Sequence, residues 1–398
     1  VRLTALIKER IWPSQEPLPA GVWIHGVSLG EAELAATFGQ ILRQKLPDVS
    51  VTLTASTPAG VGLLRKKFPS GTDHPPVRAF PLDLPFSVRR AFDSLSPKLL
   101  VLMETELWPT ALREAGSRRV PVLIVNAKLS ERSLSRLKKA RFFFDAAFKA
   151  ISHIAARTPQ DAARFQQLGF SESSITVCGD LKYDRTLPES SPIAVALKEL
   201  ARDRPILVGG SLAPEEIPLV LDLFETLKKR PRTDRILLLL APRRPDSFET
   251  AENELTRRGL AHLRRSQWPG EVPALPPDVV LLDTIGELAG AYSAATVAIL
   301  GGTFAPKGGH NILEPLYYGL PVVLGPSITS IRQTVADAEG AVFSVASAED
   351  ASGAVERLLL DSSARTQARE KARLLFDRNR GAGNRAAAIA LSLLETFR

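Results

Sequence analysis

Val22-Trp-Ile-His-Gly-Val-Ser-Leu-Gly-Glu31 holds three signals in ten residues. Val22–His25 is an apolar run that predicts a buried strand. Gly26 and Ser28 mark a turn, and a helix is expected to begin near Gly30-Glu31. The same unit recurs along the chain. Val49–Thr54, Val77–Phe80, Leu99–Met103, Val120–Val125 and Ile151–Ala155 read as further strands, separated by helix-like stretches such as Glu31–Leu46 and Phe86–Ser94. The Pro- and Ser-rich Leu187-Pro-Glu-Ser-Ser-Pro192 reads as a linker. Beyond it the pattern restarts with Ile206–Val208, Ile236–Leu240, Val279–Leu282, Val297–Leu300 and Val322–Leu324. Strands alternating with helices predict an α/β fold with parallel, doubly wound sheets. The expected organisation is one Rossmann-like domain over 1–187, a second over 188–380, and a helix over 381–398 packing back toward the first. Parallel sheets bind ligands at the carboxyl ends of their strands. Two such sheets face to face predict an interdomain cleft.

Composition narrows the function classes. At about 150 residues per domain, 398 residues suggest two or three domains. With 44% apolar and 24% charged residues the chain is not disordered. A single cysteine, Cys178, excludes an internal disulfide framework, and no Cys/His metal spacing surrounds it. The net charge of +8 points to acidic partners such as a nucleotide, a phosphorylated lipid or an anionic membrane. No RNA-binding signature or zinc finger occurs, so nucleic acid is not an expected partner. The longest uninterrupted apolar run, Ile236–Ala241, is too short to span a bilayer. No signal peptide is read, and the Val start leaves an upstream anchor open.

Several segments after strands carry chemistry. In the opening segment, glycines let backbone approach a ligand, and the helix start favours an anion. Glu31 there is either a carboxylate complementing the helix dipole or a general base at a strand's carboxyl end. Glu104 and Glu106 in Met103-Glu-Thr-Glu-Leu-Trp-Pro109 are a solvated pair or groups facing the cleft. Asn126-Ala-Lys-Leu-Ser-Glu-Arg-Ser133 leads into a basic amphipathic stretch. It carries Arg132, Arg136, Lys138, Lys139 and Arg141 with Leu134, Leu137, Phe142, Phe143, Phe144 and Phe148. That stretch is either a membrane-surface contact or core aromatics with solvated cations. Lys182 in Cys178-Gly-Asp-Leu-Lys-Tyr-Asp184 is a surface lysine or a point charge for a carboxylate or phosphate. In the second half, Ser211 sits in a Gly-Ser turn after a strand and Arg243 follows another. Gly301-Gly-Thr-Phe-Ala-Pro-Lys-Gly-Gly-His-Asn311 is a glycine-rich loop that opens into a helix holding Glu314. Backbone N–H groups of such a loop suit a phosphate, and Glu314 suits ribose hydroxyls. No Asp-X-Asp pair and no P-loop pattern occurs, so neither a metal-dependent nucleotide-sugar site of that type nor that kind of ATP hydrolysis is expected.

These segments, together with Asp283-Thr-Ile-Gly-Glu-Leu288 and Gly308-Gly-His-Asn-Ile-Leu-Glu-Pro315, resemble the 3-deoxy-D-manno-oct-2-ulosonic acid (Kdo) transferases of Gram-negative lipopolysaccharide synthesis. The resemblance runs from about Trp23 to Asn384. It implies the GT-B glycosyltransferase fold and transfer of Kdo from CMP-Kdo to a lipid A precursor, inverting, with no metal and no cofactor. It implies membrane association at the cytoplasmic face of the bacterial inner membrane, usually through an N-terminal anchor absent from this chain. It assigns the base to Glu31. The acceptor side then falls to Ser28, Gly30, Glu104, Glu106, Asn126, Arg132 and Lys182. The nucleotide falls to Ser211, Arg243, Gly308, Gly309, Asn311 and Glu314. Departures cluster in the donor half: Leu212-Ala213 stand where the family usually has Thr-His, Arg244 where it has His, and Ser327 and Ser330 near its usual His and Asn. A divergent paralog with another nucleotide-sugar donor is the alternative, as is a nucleotide-sugar epimerase, although an epimerase has no use for the Ser-Leu-Gly-Glu and Glu-Thr-Glu-Leu-Trp-Pro segments.

Overall fold

A computed structural model describes residues 3–71, 74–268 and 275–397. The chain divides into two compact units, Val1–Arg185 with Asn379–Arg398, and Thr186–Arg378. The first unit is built on β1 (Gly21–Gly26), β2 (Ser50–Ala55), β3 (Val77–Ala79), β4 (Leu99–Met103), β5 (Val122–Ala127), β6 (Ile151–Ala156) and β7 (Ile175–Val177). These form one parallel sheet in the order β3-β2-β1-β4-β5-β6-β7. The second unit holds β8 (Ile206–Leu212), β9 (Leu237–Pro242), β10 (His262–Arg264), β11 (Val279–Leu281), β12 (Val297–Leu300), β13 (Val322–Leu324) and β14 (Val342–Ser344). They too are all parallel, in the order β10-β11-β9-β8-β12-β13-β14.

Side-chain alternation explains why the central strands are apolar throughout. On β4, Leu99, Val101 and Met103 enter the core on one face, and Leu100 and Leu102 enter the core on the other. On β9, Leu238 and Leu240 face one core, and Leu237, Leu239 and Ala241 the other. Several covering helices open with proline in the first turn, at Pro58, Pro85, Pro109, Pro159 and Pro192. There the missing N–H costs no intrahelical bond.

The helix Ala382–Thr396 belongs to the first unit. Ala386, Ala387, Ala390 and Leu394 join the core that contains Leu34, Phe38 and Leu42. Asp184 fastens its start, accepting from Gly381 N and Gly383 N at 2.5 Å each. Arg385 Nε donates to Cys178 O at 2.7 Å. Burial pushes the Cys178 thiol up to about 11, which makes it a packing residue rather than a nucleophile. In the second unit, the hydroxyls of Tyr317 and Tyr318 donate to Leu187 O and Pro188 O, so the Pro-rich linker starts as packed structure.

The basic stretch after β5 is not one amphipathic helix. It breaks at Ala140 into helices Glu131–Lys139 and Arg141–Phe148. Leu134 and Phe148 are core residues, and Leu137 and Phe144 pack against that core. The side chains of Arg141, Phe142 and Phe143 lie outside the described set. The large exposed apolar residues sit elsewhere, among them Leu3, Ile7, Ile11 and Trp12 on and just after the first helix, Leu3–Ile11. Among the described residues, no helix is long and apolar enough to cross a membrane.

Candidate active site

The strand order reverses between β1 and β4 in the first sheet and between β8 and β12 in the second, where β10 and β11 are also exchanged at the edge. Loops leaving neighbouring strands in opposite directions open a crevice at the carboxyl ends, where α/β sheets bind ligands. Ser28, Gly30, Glu31, Glu104 and Glu106 follow the strands of the first point. Ser211 and the 308–314 segment belong to or follow those of the second, whereas Asn126, Arg132, Lys182 and Arg243 belong to or follow other strands.

In the first unit, β1 runs into Ser28, the N-cap of helix Leu29–Lys45. Ser28 Oγ accepts from Glu31 N at 3.3 Å. Glu31 Oε2 in turn accepts from Val27 N at 2.6 Å and Ser28 N at 3.2 Å. This capping box means that Glu31 serves the helix start as well as standing at the switch point. Its Oε1 has no hydrogen-bond partner among the described residues. Gly30 is exposed, with open space where a Cβ would stand.

Glu104 and Glu106 follow β4. Glu104 is buried and pairs with Lys128 Nζ at 2.5 Å. Glu106 is half-buried. Burial, with the charges of Glu31 and Glu104, pushes its carboxyl up to about 7 against the pull of Lys128. Asn126, at the end of β5, is not simply a ligand donor as expected. Its Oδ1 accepts from Leu181 N at 2.9 Å and holds the loop that bears the exposed Lys182. Its buried Nδ2 has no partner among the described residues, and neither does Trp108 Nε1. His25 beneath is fully buried against Phe80 and Thr54, and burial drops its pKa to about 3, so it is a neutral packing residue. Arg132 is exposed in the first turn of helix Glu131–Lys139.

In the second unit, Ser211, next to last in β8, has φ 56°. Glu104 and Asn126 share that left-handed backbone at φ 60° and 57°. All three lie in this costly region at or near the carboxyl end of a strand: Glu104 just after and Ser211 within strands that flank the switch points, and Asn126 in the neighbouring β5. Arg243 N donates to Leu212 O, and its Nη1 lies against both ring nitrogens of His310, Nδ1 and Nε2. Burial and the Arg243 charge lower the His310 pKa, so a neutral ring accepts from the guanidinium. Asn311 Nδ2 donates to Glu314 Oε1 at 3.1 Å.

Gly308 and Gly309 correct the sequence reading. Their N–H groups bond inside the loop, to Ser327 Oγ at 3.0 Å and Gly302 O at 2.8 Å, so they are not the phosphate donors expected of them. They are glycine because φ is 83° and 84°, and because a Cβ would strike Ser330 Oγ or Ile331. The N–H groups of His310 and Asn311 have no protein acceptor among the described residues. Asp283 and Glu287, prominent in the sequence motif, are occupied structurally. Asp283 accepts from Arg264 and Ser266, and Glu287 from Arg265.

Lys128, His310 and Glu216 were not singled out from sequence. Lys128 and His310 stood inside quoted motifs, whereas nothing local marked Glu216.

A stability prediction follows from Glu106. Its folded pKa is raised above the unfolded value, so the folded state holds the extra proton between about pH 4.5 and 7. Stability therefore falls as pH rises through that window. Glu106→Gln should raise the thermal midpoint at pH 8 and leave it unchanged at pH 4. Equal midpoints at pH 8 would show that Glu106 is not crowded by its neighbours.

Comparison with known proteins is consistent with this geometry. UDP-GlcNAc 2-epimerase from Neisseria meningitidis aligns at TM-score 0.61 and 13% identity, over 94% of this chain and 100% of that one. HepE from Anabaena, solved with UDP, aligns at TM-score 0.58 and 16% identity, over 94% and 99%. Residues 275–375 match the group 1 glycosyl transferases. Two parallel α/β units of this kind are the GT-B fold, which this epimerase shares, and the family match makes the chain a glycosyltransferase. Residues 5–185 match the 3-deoxy-D-manno-octulosonic-acid transferase (kdotransferase) family. The proteins named 3-deoxy-D-manno-octulosonic acid transferase in Haemophilus influenzae and Bordetella pertussis are 33% and 34% identical to it. They match over 95% and 93% of this chain, and over 88% and 86% of their own lengths. The chain belongs to this Kdo transferase family.

Proposed function

We propose that the chain moves Kdo from CMP-Kdo to a lipid A precursor with inversion, metal-independently, with Glu31 as general base. The observation that carries the reading is the state of Glu31. One carboxylate oxygen is pinned by Val27 N and Ser28 N at the switch point, and the other has no partner among the described residues. An acceptor hydroxyl must lose its proton as its oxygen bonds to the anomeric carbon, and a fixed carboxylate within hydrogen-bond reach takes it. The bond from that carbon to the CMP phosphate breaks, and the electron pair leaves with CMP. Arg243 and the N–H groups of His310 and Asn311 offer positive charge and donors to that phosphate. Ser211 serves the nucleotide, and Gly308 and Gly309 shape its loop. Glu314 is assigned the ribose hydroxyls. Ser28 and Gly30 leave the approach to Glu31 open. Glu104, Glu106, Asn126, Arg132 and Lys182 are assigned to the sugar and the acidic acceptor.

The acceptor is a lipid, so the enzyme works at a membrane surface, here taken as the cytoplasmic face of the bacterial inner membrane. The net charge of +8 supports this, and so does the exposed Leu3, Ile7, Ile11 and Trp12 face with Lys8 beside it. The deciding experiment mixes purified protein, CMP-Kdo generated in situ and radiolabelled lipid A precursor, with and without chelator. Chelator-resistant product is expected. No product from a protein that still binds CMP would favour a paralog with another donor or acceptor, a reading that Leu212-Ala213 and Arg244 make specific. Glu314→Ala should weaken CMP binding about tenfold by calorimetry. Unaltered affinity removes the ribose assignment.

A further inference from the structure

Glu216 is 1% exposed and lies just after β8, three residues into the turn that follows the strand. Its carboxylate makes four hydrogen bonds, all to backbone. Oε2 accepts from Ala213 N at 2.8 Å and Gly302 N at 2.7 Å. Oε1 accepts from Phe304 N at 2.9 Å and Ala305 N at 3.1 Å. One side chain thus ties the loop after β8 to the loop after β12, across the switch point of the second sheet. The tied loop carries further consequences. Gly302, at φ 75°, lies under the His310 ring, where a Cβ would be 2.7 Å from Nε2. Gly302 O also receives Gly309 N. The His310 ring that rests there accepts from Arg243.

We propose that Glu216 is a positioning residue for the donor nucleotide. By holding the 301–305 loop it sets the place of His310, and through His310 the direction of the Arg243 guanidinium toward the departing phosphate. This inference rests on the nucleotide assignment of the preceding subsection. Its neighbour Glu215 has a different part, exposed and paired with Lys307 at 3.2 Å.

The geometry demands a carboxylate. Each oxygen accepts two N–H groups, so a glutamine amide NH2 must face two backbone donors whichever way it is turned. Glu216→Gln is therefore expected to release the loop although its size is conserved. The test titrates the full chain with CMP in a calorimeter, then measures donor and acceptor KM separately, all at a temperature well below the unfolding midpoint of each variant. Glu216→Gln should weaken CMP binding about ten- to hundredfold and raise the donor KM in parallel. The acceptor KM should stay within about twofold, a split that general loss of stability would not produce. Glu215→Gln should bind CMP as the wild type does. Where Glu216→Gln does not yield folded protein, Gly302→Ala carries the test, because its Cβ displaces the His310 ring from the same loop. Wild-type binding of CMP with unchanged affinity in the variant overturns the positioning role alone. Failure of the wild type to bind CMP overturns the nucleotide assignment, and the positioning role with it.

Discussion

Glu31→Gln is expected to lower turnover at least about a hundredfold, the scale of general-base loss, with folding and CMP affinity close to wild type. The capping box explains why this variant is clean. Only Oε2 is engaged, by Val27 N and Ser28 N. A glutamine can place its carbonyl oxygen there and turn its NH2 outward, so the helix start at Ser28 survives. Glu31→Ala removes both the base and the box, and should add about 1 kcal/mol of destabilisation. Initial rates with saturating CMP-Kdo and acceptor, beside thermal melts of both variants, separate the two effects. Turnover of Glu31→Gln within a few-fold of wild type would strip Glu31 of the role of base. The contrast with Glu216 is physical: one glutamate uses a single oxygen and tolerates an amide, and the other uses both and does not.

The largest effect on stability is expected from Gly301→Ala. Gly301 follows β12, and its N–H donates to Gly210 O at 2.8 Å. A Cβ there would stand 2.2 Å from Ser211 O and 2.6 Å from Leu212 Cα. Both are main chain, so no rotamer relieves the contact, and the ends of β8 and β12 must part. Overpacking of this sort costs about 3 kcal/mol. In a unit of this size that lowers the melting point by about 6–12 °C. Gly353→Ala is the control. Gly353 lies in helix Ala348–Leu360 with open space at its Cβ position, so alanine should stabilise by about 0.5–1 kcal/mol. Equal midpoints for Gly301→Ala and wild type would mean that the close approach at the switch point is not as drawn.

The central strands were legible because both faces of each are buried, which leaves continuous apolar runs such as Leu99–Met103. The edge strands were not. β7 is largely exposed and β10 only half-buried, so Ile175–Val177 and His262–Arg264 carry no such run. β14 is three residues long and equally mixed. Glu31 stood out because strand, turn and helix start adjoin in sequence. Glu216 did not, because Glu215-Glu216 reads as ordinary acidic residues in a first turn, and three of its four partners lie 86 to 89 residues away. Asn126 read as a ligand donor for the same reason, since Leu181 N is 55 residues distant. Gly308 and Gly309 read as phosphate donors because glycine in a loop does not reveal whether its N–H is already used. Pairings made across a fold leave no local trace.

The last helix of the chain has a consequence for synthesis. Ala386, Ala387, Ala390 and Leu394 complete the core of the first unit, and Asp184 clasps the helix start, yet the whole second unit is translated in between. A ribosome adding ~5–20 residues per second leaves the first sheet without its final helix for on the order of 10–40 s. During that interval the apolar face awaiting the helix is open to chaperones, and the unbroken second unit is free to fold before the first is finished.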